Sequence, residues 1–146
     1  MERKNKFKIV IPSYNNEQWI EHNIASILNQ TYTNYDVLYI NDASTDNTLS
    51  EITSLKNTYN LNNWKIVSNL TNKRRGYNIS PYNKNVIEFM DNDEDILLFV
   101  DGDDWLFDEH VLDKLNNYYN IMANRKHNNP PPDEVIENSF YDGVTF

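Results

Sequence analysis

The residues most able to do chemistry in this sequence are acidic. Asp101-Gly102-Asp103 follows five apolar residues, Ile96 to Val100. Carboxylates at i and i+2 of an extended segment point the same way, and hard oxygen ligands of this kind suit Mg²⁺ or Mn²⁺. An ion held there could neutralise the negative charge of a phosphate or diphosphate group. Gly102 between the two lets a ligand approach the backbone closely. The same three residues also fit an acidic turn or a helix start.

Asp42 likewise follows an apolar stretch, Val37 to Ile40. A carboxylate at such a strand end can accept a hydrogen bond from a base imide or a ribose hydroxyl. It can equally cap the following helix, a role shared with Ser44 or Asp46. Lys73-Arg74-Arg75 is the one obvious basic cluster. It reads as a diphosphate contact or as a solvated loop. Tyr14 offers a ring to a base and Trp105 a ring to a sugar, unless both lie at the edge of the core. Asp91-Asn-Asp93-Glu-Asp95 begins like a calcium loop, but Ile96 stands where that loop needs glycine. Ile96 to Val100 would also have to leave the core, so that reading is set aside.

The elements that must hold these residues follow from hydrophobic spacing. Phe7 to Ile11 reads as a buried strand stopped by Pro12, and Asp36–Asn41, Trp64–Ser68 and Ile96–Val100 as three more. The last is apolar throughout, as a central parallel strand covered on both faces should be. Ile20, Ile24, Ile27 and Leu28 define a helix over about 17–30, and Thr48 to Tyr59 a second. Ser80-Pro81 starts a third carrying Tyr82, Val86, Phe89 and Met90. The fourth spans about 108–123. Asn128 to Pro132 is a stiff connector, and one more strand is expected near 135–140. Strand–helix alternation of this kind predicts an α/β fold with a mainly parallel sheet flanked by helices, as one domain over residues 1–146. Ligands of such sheets sit beyond the carboxyl ends of the strands, where Pro12 to Glu17, Asp42, the basic loop and Asp101 to Asp104 all fall.

Composition bounds the partners. The net charge is −9 and the pI about 4.7. Such a surface repels nucleic acid and anionic membranes, so a bound nucleotide needs local help from a metal or the basic cluster. There are no cysteines, which excludes disulfides, thiolate nucleophiles and Cys-based zinc sites. The three histidines lie far apart. No apolar run approaches membrane-spanning length and the N-terminus does not read as a signal peptide, so a cytoplasmic location is the expectation.

Four segments then combine into a pattern: Val10-Ile-Pro-Ser-Tyr-Asn-Asn16, Ser26-Ile-Leu-Asn-Gln-Thr-Tyr32, Asn41-Asp-Ala-Ser-Thr-Asp-Asn-Thr48 and Phe99-Val-Asp-Gly-Asp-Asp-Trp105. In this order and spacing they resemble family 2 glycosyltransferases over about residues 6–115. The resemblance implies the Rossmann-like sandwich of the A-type glycosyltransferase fold, and a hexosyltransferase-like, inverting activity. It implies a UDP-sugar donor, an acceptor hydroxyl and Mn²⁺ or Mg²⁺ as cofactor. It places Pro12, Ser13, Tyr14 and Glu17 around the nucleobase and ribose and Asp42 on the base. Asp101 would contact the ribose or the metal, Asp103 would be the principal metal ligand, and Arg75 and Gly102 would complete the nucleotide-sugar set.

The sequence departs from the family in three places. The usual Asp-Asp-Gly-Ser stands as Asn41-Asp-Ala-Ser44, which alters the turn. Lys84-Asn85 replaces the Arg-Asn pair expected after Gly76. Family members also continue into an acceptor-binding half that supplies the catalytic base. Asp133, Glu134 and Asp142 are available here, but no motif marks them. The chain is therefore expected to be a donor-binding glycosyltransferase domain, or a truncated or non-catalytic nucleotide-sugar-binding module. A phospho-receiver-like domain, which also gathers carboxylates at strand ends, is the remote third reading.

Overall fold

A computed structural model describes residues 3–80 and 82–128. Four strands, β1 (Phe7–Ser13), β2 (Tyr35–Asn41), β3 (Trp64–Ser68) and β4 (Ile96–Phe99), alternate with helices α1 (Ile20–Leu28), α2 (Thr48–Thr58), α3 (Arg74–Asn78), α4 (Lys84–Phe89) and α5 (Val111–Asn128). The strands form one parallel sheet in the order β3-β2-β1-β4.

Alternation along β1 distributes its side chains to two cores. Phe7, Ile9 and Ile11 pack with Ile20, Ile24 and Ile27 of α1, Ile52 of α2 and Leu112 of α5. Val10 faces the other way and, with Leu38 and Ile40 of β2, meets Val86 and Phe89 of α4. Helices thus cover both faces, as the alternating pattern predicts. Lys8 shares the second face and is buried. Its ammonium is neutralised by Asp36 Oδ2 at 2.7 Å and Asp91 Oδ2 at 2.5 Å, and lies over the Phe89 ring.

The structure corrects several expectations. Among the described residues, β1 and β2 hold the middle of the sheet, β4 pairs with β1 alone, and its residues are half-buried. Its apolar run packs against both cores, Ile96 and Leu98 on one face and Leu97 and Phe99 on the other. β1 does not stop at Pro12 but runs through it to Ser13. Proline removes one donor there, on the side where pairing with β4 ends at Val10–Phe99, and its carbonyl still accepts from Gly102 N at 2.9 Å. The helix expected from Ser80-Pro81 begins instead at Lys84. Asn83 caps it by accepting from Asn85 N at 2.9 Å, and Tyr82 is left exposed. The basic loop contains the short helix α3. The expected strand near 135–140, most of the proline connector, and Asp133, Glu134 and Asp142 lie outside the described residues.

Candidate functional site

A cleft of about 210 Å³ opens at the carboxyl ends of the strands, lined by Pro12, Ser13, Tyr14, Asn16, Asp42, Arg75, Asn78, Asp101 and Asp103. Each segment reaches it by a local cause. The loop after β1 turns at Asn15, which adopts φ 53°, and is laced to the loop after β2. Asn15 N donates to Ser44 Oγ, Asn16 N to Thr48 Oγ1 and Glu17 N to Asp46 Oδ2. Asp46 also caps α2 through Thr48 N at 3.0 Å. Partial desolvation raises the Asp46 pKa, but the Thr48 and Glu17 hydrogen bonds outweigh it and leave the net value low.

Asp42 is almost fully buried and heavily engaged. Its Oδ1 accepts from Asn69 Nδ2 at 2.7 Å and Lys73 N at 2.8 Å, and its Oδ2 from Arg74 N at 2.9 Å. It therefore organises the entry to α3 rather than the start of α2. A carboxylate has about four acceptor positions, and three are taken. Arg74 begins α3 at φ 66°. The next residue, Arg75, swings its guanidinium to Asp101, with Nε donating to Oδ2 at 2.6 Å.

The loop after β4 is held from beneath by α1. Asn23 Nδ2 donates to the carbonyls of Asp101 at 3.1 Å and Asp104 at 2.7 Å. Ser26 Oγ accepts from Leu106 N, and Gln30 bridges Asp108 O and Leu112 N. Gly102 is buried against β1: a Cβ there would sit 2.5 Å from Ser13 Oγ and 2.6 Å from Asn16 Nδ2. The close approach that requires glycine is thus made by Ser13 and Asn16. Ser13 Oγ also accepts from the buried Tyr39 hydroxyl at 2.8 Å.

Pinned this way, Asp101, Asp103 and Asp104 bring ligand oxygens within 4.8 Å of one another. Asp101 Oδ1 is buried and has no partner. An all-oxygen cluster with one orphaned buried oxygen fits a hard divalent cation such as Mg²⁺ or Mn²⁺.

Of the residues read from sequence, Pro12, Ser13, Tyr14, Asp42, Arg75, Asp101 and Asp103 converge on the cleft. Gly102 supports its floor. Glu17 does not line it: Glu17 Oε2 accepts from Asn47 N at 2.8 Å, at the start of α2. The sequence placed Asn16 and Asp104 in the loops at this end without giving them a role, and passed over Asn78 and the clamp residue Asn23. Asn23 did leave a signal, as a polar residue on the stripe of Ile20, Ile24 and Ile27 with no exposure at all.

Known proteins resemble this chain in sequence and in fold. The Staphylococcus aureus poly(ribitol-phosphate) β-N-acetylglucosaminyltransferase TarS is 30% identical over 110 residues, covering 74% of this chain and 18% of TarS. An uncharacterised glycosyltransferase of Haemophilus influenzae is 50% identical over 44 residues, 30% of this chain and 14% of that protein. The crystal structure of S. aureus TarS 1–349 in complex with UDP-GlcNAc superposes with a TM-score of 0.64 at 26% identity, over 81% of this chain and 32% of that one. A Pyrobaculum calidifontis mannosyltransferase in complex with GDP-Man and Mn²⁺ shares the fold, at TM-score 0.66 and 19% identity, over 81% of this chain and 32% of that one. The chain thus spans less than a fifth of these curated relatives and about a third of the solved structures. These structural neighbours have the A-type glycosyltransferase fold. The model of glycosyl transferase family 2 matches residues 8–140, nearly the whole chain, and the chain belongs to that family.

Proposed function

We propose that this chain is the donor-binding domain of a metal-dependent, inverting glycosyltransferase that uses a UDP-sugar. The observation that carries the reading is the cluster of Asp101, Asp103 and Asp104, with the orphaned Asp101 Oδ1, of which Asp101 and Asp103 line one cleft with Asp42 and Arg75. The complex of TarS with UDP-GlcNAc supports a UDP-sugar as donor. Asp101 and Asp103 hold Mn²⁺ or Mg²⁺, with Asp104 beside them. When bound, the ion supplies charge neutralisation for the departing diphosphate.

The chain's own residues do the rest. Tyr14, at the cleft mouth, stacks on the base, and Pro12 and Ser13 form the wall beneath it. Asp42 has one free acceptor position for the base or ribose. Arg75 turns from Asp101 toward the diphosphate, a favourable partner for a guanidinium. An acceptor hydroxyl then attacks the anomeric carbon, forming the new C–O bond as the bond to UDP breaks. The hydroxyl proton passes to a carboxylate base outside residues 6–115.

Calorimetric titration with UDP, with and without Mn²⁺ and against ADP and GDP, tests the reading. The expected result is metal-dependent, UDP-selective heat that Asp103→Ala abolishes. Silence from a folded sample, or normal UDP and Mn²⁺ binding by Asp103→Ala, overturns it. UDP binding without transfer by the chain alone would favour a nucleotide-sugar-binding module.

A further inference from the structure

Beside the acidic cluster lies an aromatic surface that the nucleotide site does not use. The rings of Trp19 and Trp105 are 6.1 Å apart at 38°, and those of His22 and Trp105 are 5.9 Å apart at 45°. None is a core residue: Trp105 is 51% exposed, Trp19 37%, and His22 is exposed. Yet the rings are not on a loose loop. Trp105 sits between Asp104, whose carbonyl is held by Asn23, and Leu106, whose N–H is held by Ser26. Trp19 and His22 stand at the start of the same α1 that supplies both clamps. The fold thus holds two large rings in place and leaves them half open to water, against the hydrophobic tendency to cover them.

The chemistry of this surface is selective. Flat, tilted rings offer apolar faces to the C–H face of a sugar. The His22 imidazole and the exposed Asp104 carboxylate stand at the edge for hydroxyl groups. Three partly exposed rings make up only a few hundred Å², well below the roughly 800 Å² per partner of a stable protein interface. The patch suits one sugar ring better than a protein.

We propose that Trp19, His22 and Trp105 form a binding platform for a hexopyranose ring next to the donor cleft, an inference that rests on the glycosyl-transfer reading above. The ring belongs either to the donor's sugar or to the acceptor, and the test separates these.

Two arms use the 146-residue chain. In the first, saturation-transfer NMR monitors millimolar methyl β-D-glucopyranoside and methyl N-acetyl-β-D-glucosaminide, with and without UDP and Mn²⁺. In the second, calorimetry compares UDP-GlcNAc with UDP. Trp105→Ala and Trp19→Ala are expected to weaken ring binding about tenfold in one arm, while Trp105→Phe retains most of it. A loss confined to the methyl glycosides assigns the platform to the acceptor. A vanished gap between UDP-GlcNAc and UDP assigns it to the donor sugar. The proposal is overturned if the wild type shows ring binding in neither arm, or if folded Trp→Ala variants match it in both. Absence of UDP binding by the wild type would overturn the donor reading, while the glycoside arm still judges the platform.

Discussion

Arg75 Nε lies 2.6 Å from Asp101 Oδ2, while Oδ1 of the same carboxylate is buried with no partner. One acidic side chain is therefore half committed to a cation of the protein's own and half open to another. The pair is partly exposed, with Arg75 at 63% and Asp101 at 22%, and pairs of this type contribute about 0.2–1 kcal/mol. On the donor-site reading proposed above, Arg75 would compete with a metal for Asp101 until a diphosphate drew it away.

Arg75→Ala should therefore separate metal from nucleotide. Mn²⁺ affinity without UDP is expected to rise about two- to fivefold, the equivalent of the released ion pair. Affinity for UDP with Mn²⁺ present should fall. Titration of Mn²⁺ followed by electron paramagnetic resonance reads the first effect and calorimetry the second. Weaker Mn²⁺ binding by the variant would show that Arg75 positions Asp101 instead of competing for it.

Asp42→Ala should act on stability as well as on binding. The carboxylate takes three hydrogen bonds, two of them from the backbone of Lys73 and Arg74. Removing it leaves those donors without their charged partner, at about 2–3 kcal/mol. Urea unfolding gives the total, and hydrogen exchange at Lys73 and Arg74 gives its location. Unchanged protection at those two amides would mean that they find other acceptors.

Ala43 adopts φ 60°, a conformation that favours glycine. It stands in the turn after β2, where the family pattern that this sequence resembles has glycine. Ala43→Gly is expected to stabilise the chain by about 0.5–1 kcal/mol, because relief of the left-handed strain exceeds the added freedom of the unfolded chain. A lower urea midpoint for the variant would show that the alanine methyl makes compensating contacts.

Burial pushes the Tyr39 hydroxyl from 10.0 up to about 12; its bond to Ser13 opposes the rise, and Asp46 and Glu51 add to it. The folded pKa is above the unfolded one, so this contribution is fully present below about pH 10. It is lost as pH climbs through about 12, at up to 2–3 kcal/mol. Stability measured between about pH 9 and pH 12 should fall, and Tyr39→Phe should flatten that limb. An equal slope in both proteins would assign alkaline unfolding to other groups.

The sheet was readable because its signal is local. Runs such as Trp64–Ser68 and Asp36–Asn41 are short, apolar and bounded by polar turns, and β3 and β2 fall within a residue of them. The acidic cluster was readable for the same reason, being contiguous at a strand end. What escaped depends on distance. Nothing near Asp42 announces that its acceptors are taken by residues about thirty positions on. Five residues of basic loop become helical because that carboxylate holds their entry, not because Arg-Arg-Gly-Tyr-Asn favours a helix. The pairing of β4 with β1 rather than with β3, its predecessor in the chain, is likewise a property of the sheet as a whole, while its composition records only what covers its faces.

The clamps beneath the acidic loop also set an order in time. Asn23, Ser26 and Gln30 find their partners 78 to 82 residues later in the chain. Closures over such spans come late in folding, because the chain entropy lost must be met by contacts already in place. During synthesis, a chain paused at residue 100 has β1, β2 and β3 available but leaves Asn23 with nothing to hold. The acidic loop therefore cannot be clamped until Asp104 and Leu106 have been made, and a premature stop before Asp101 yields strands without the carboxylate cluster.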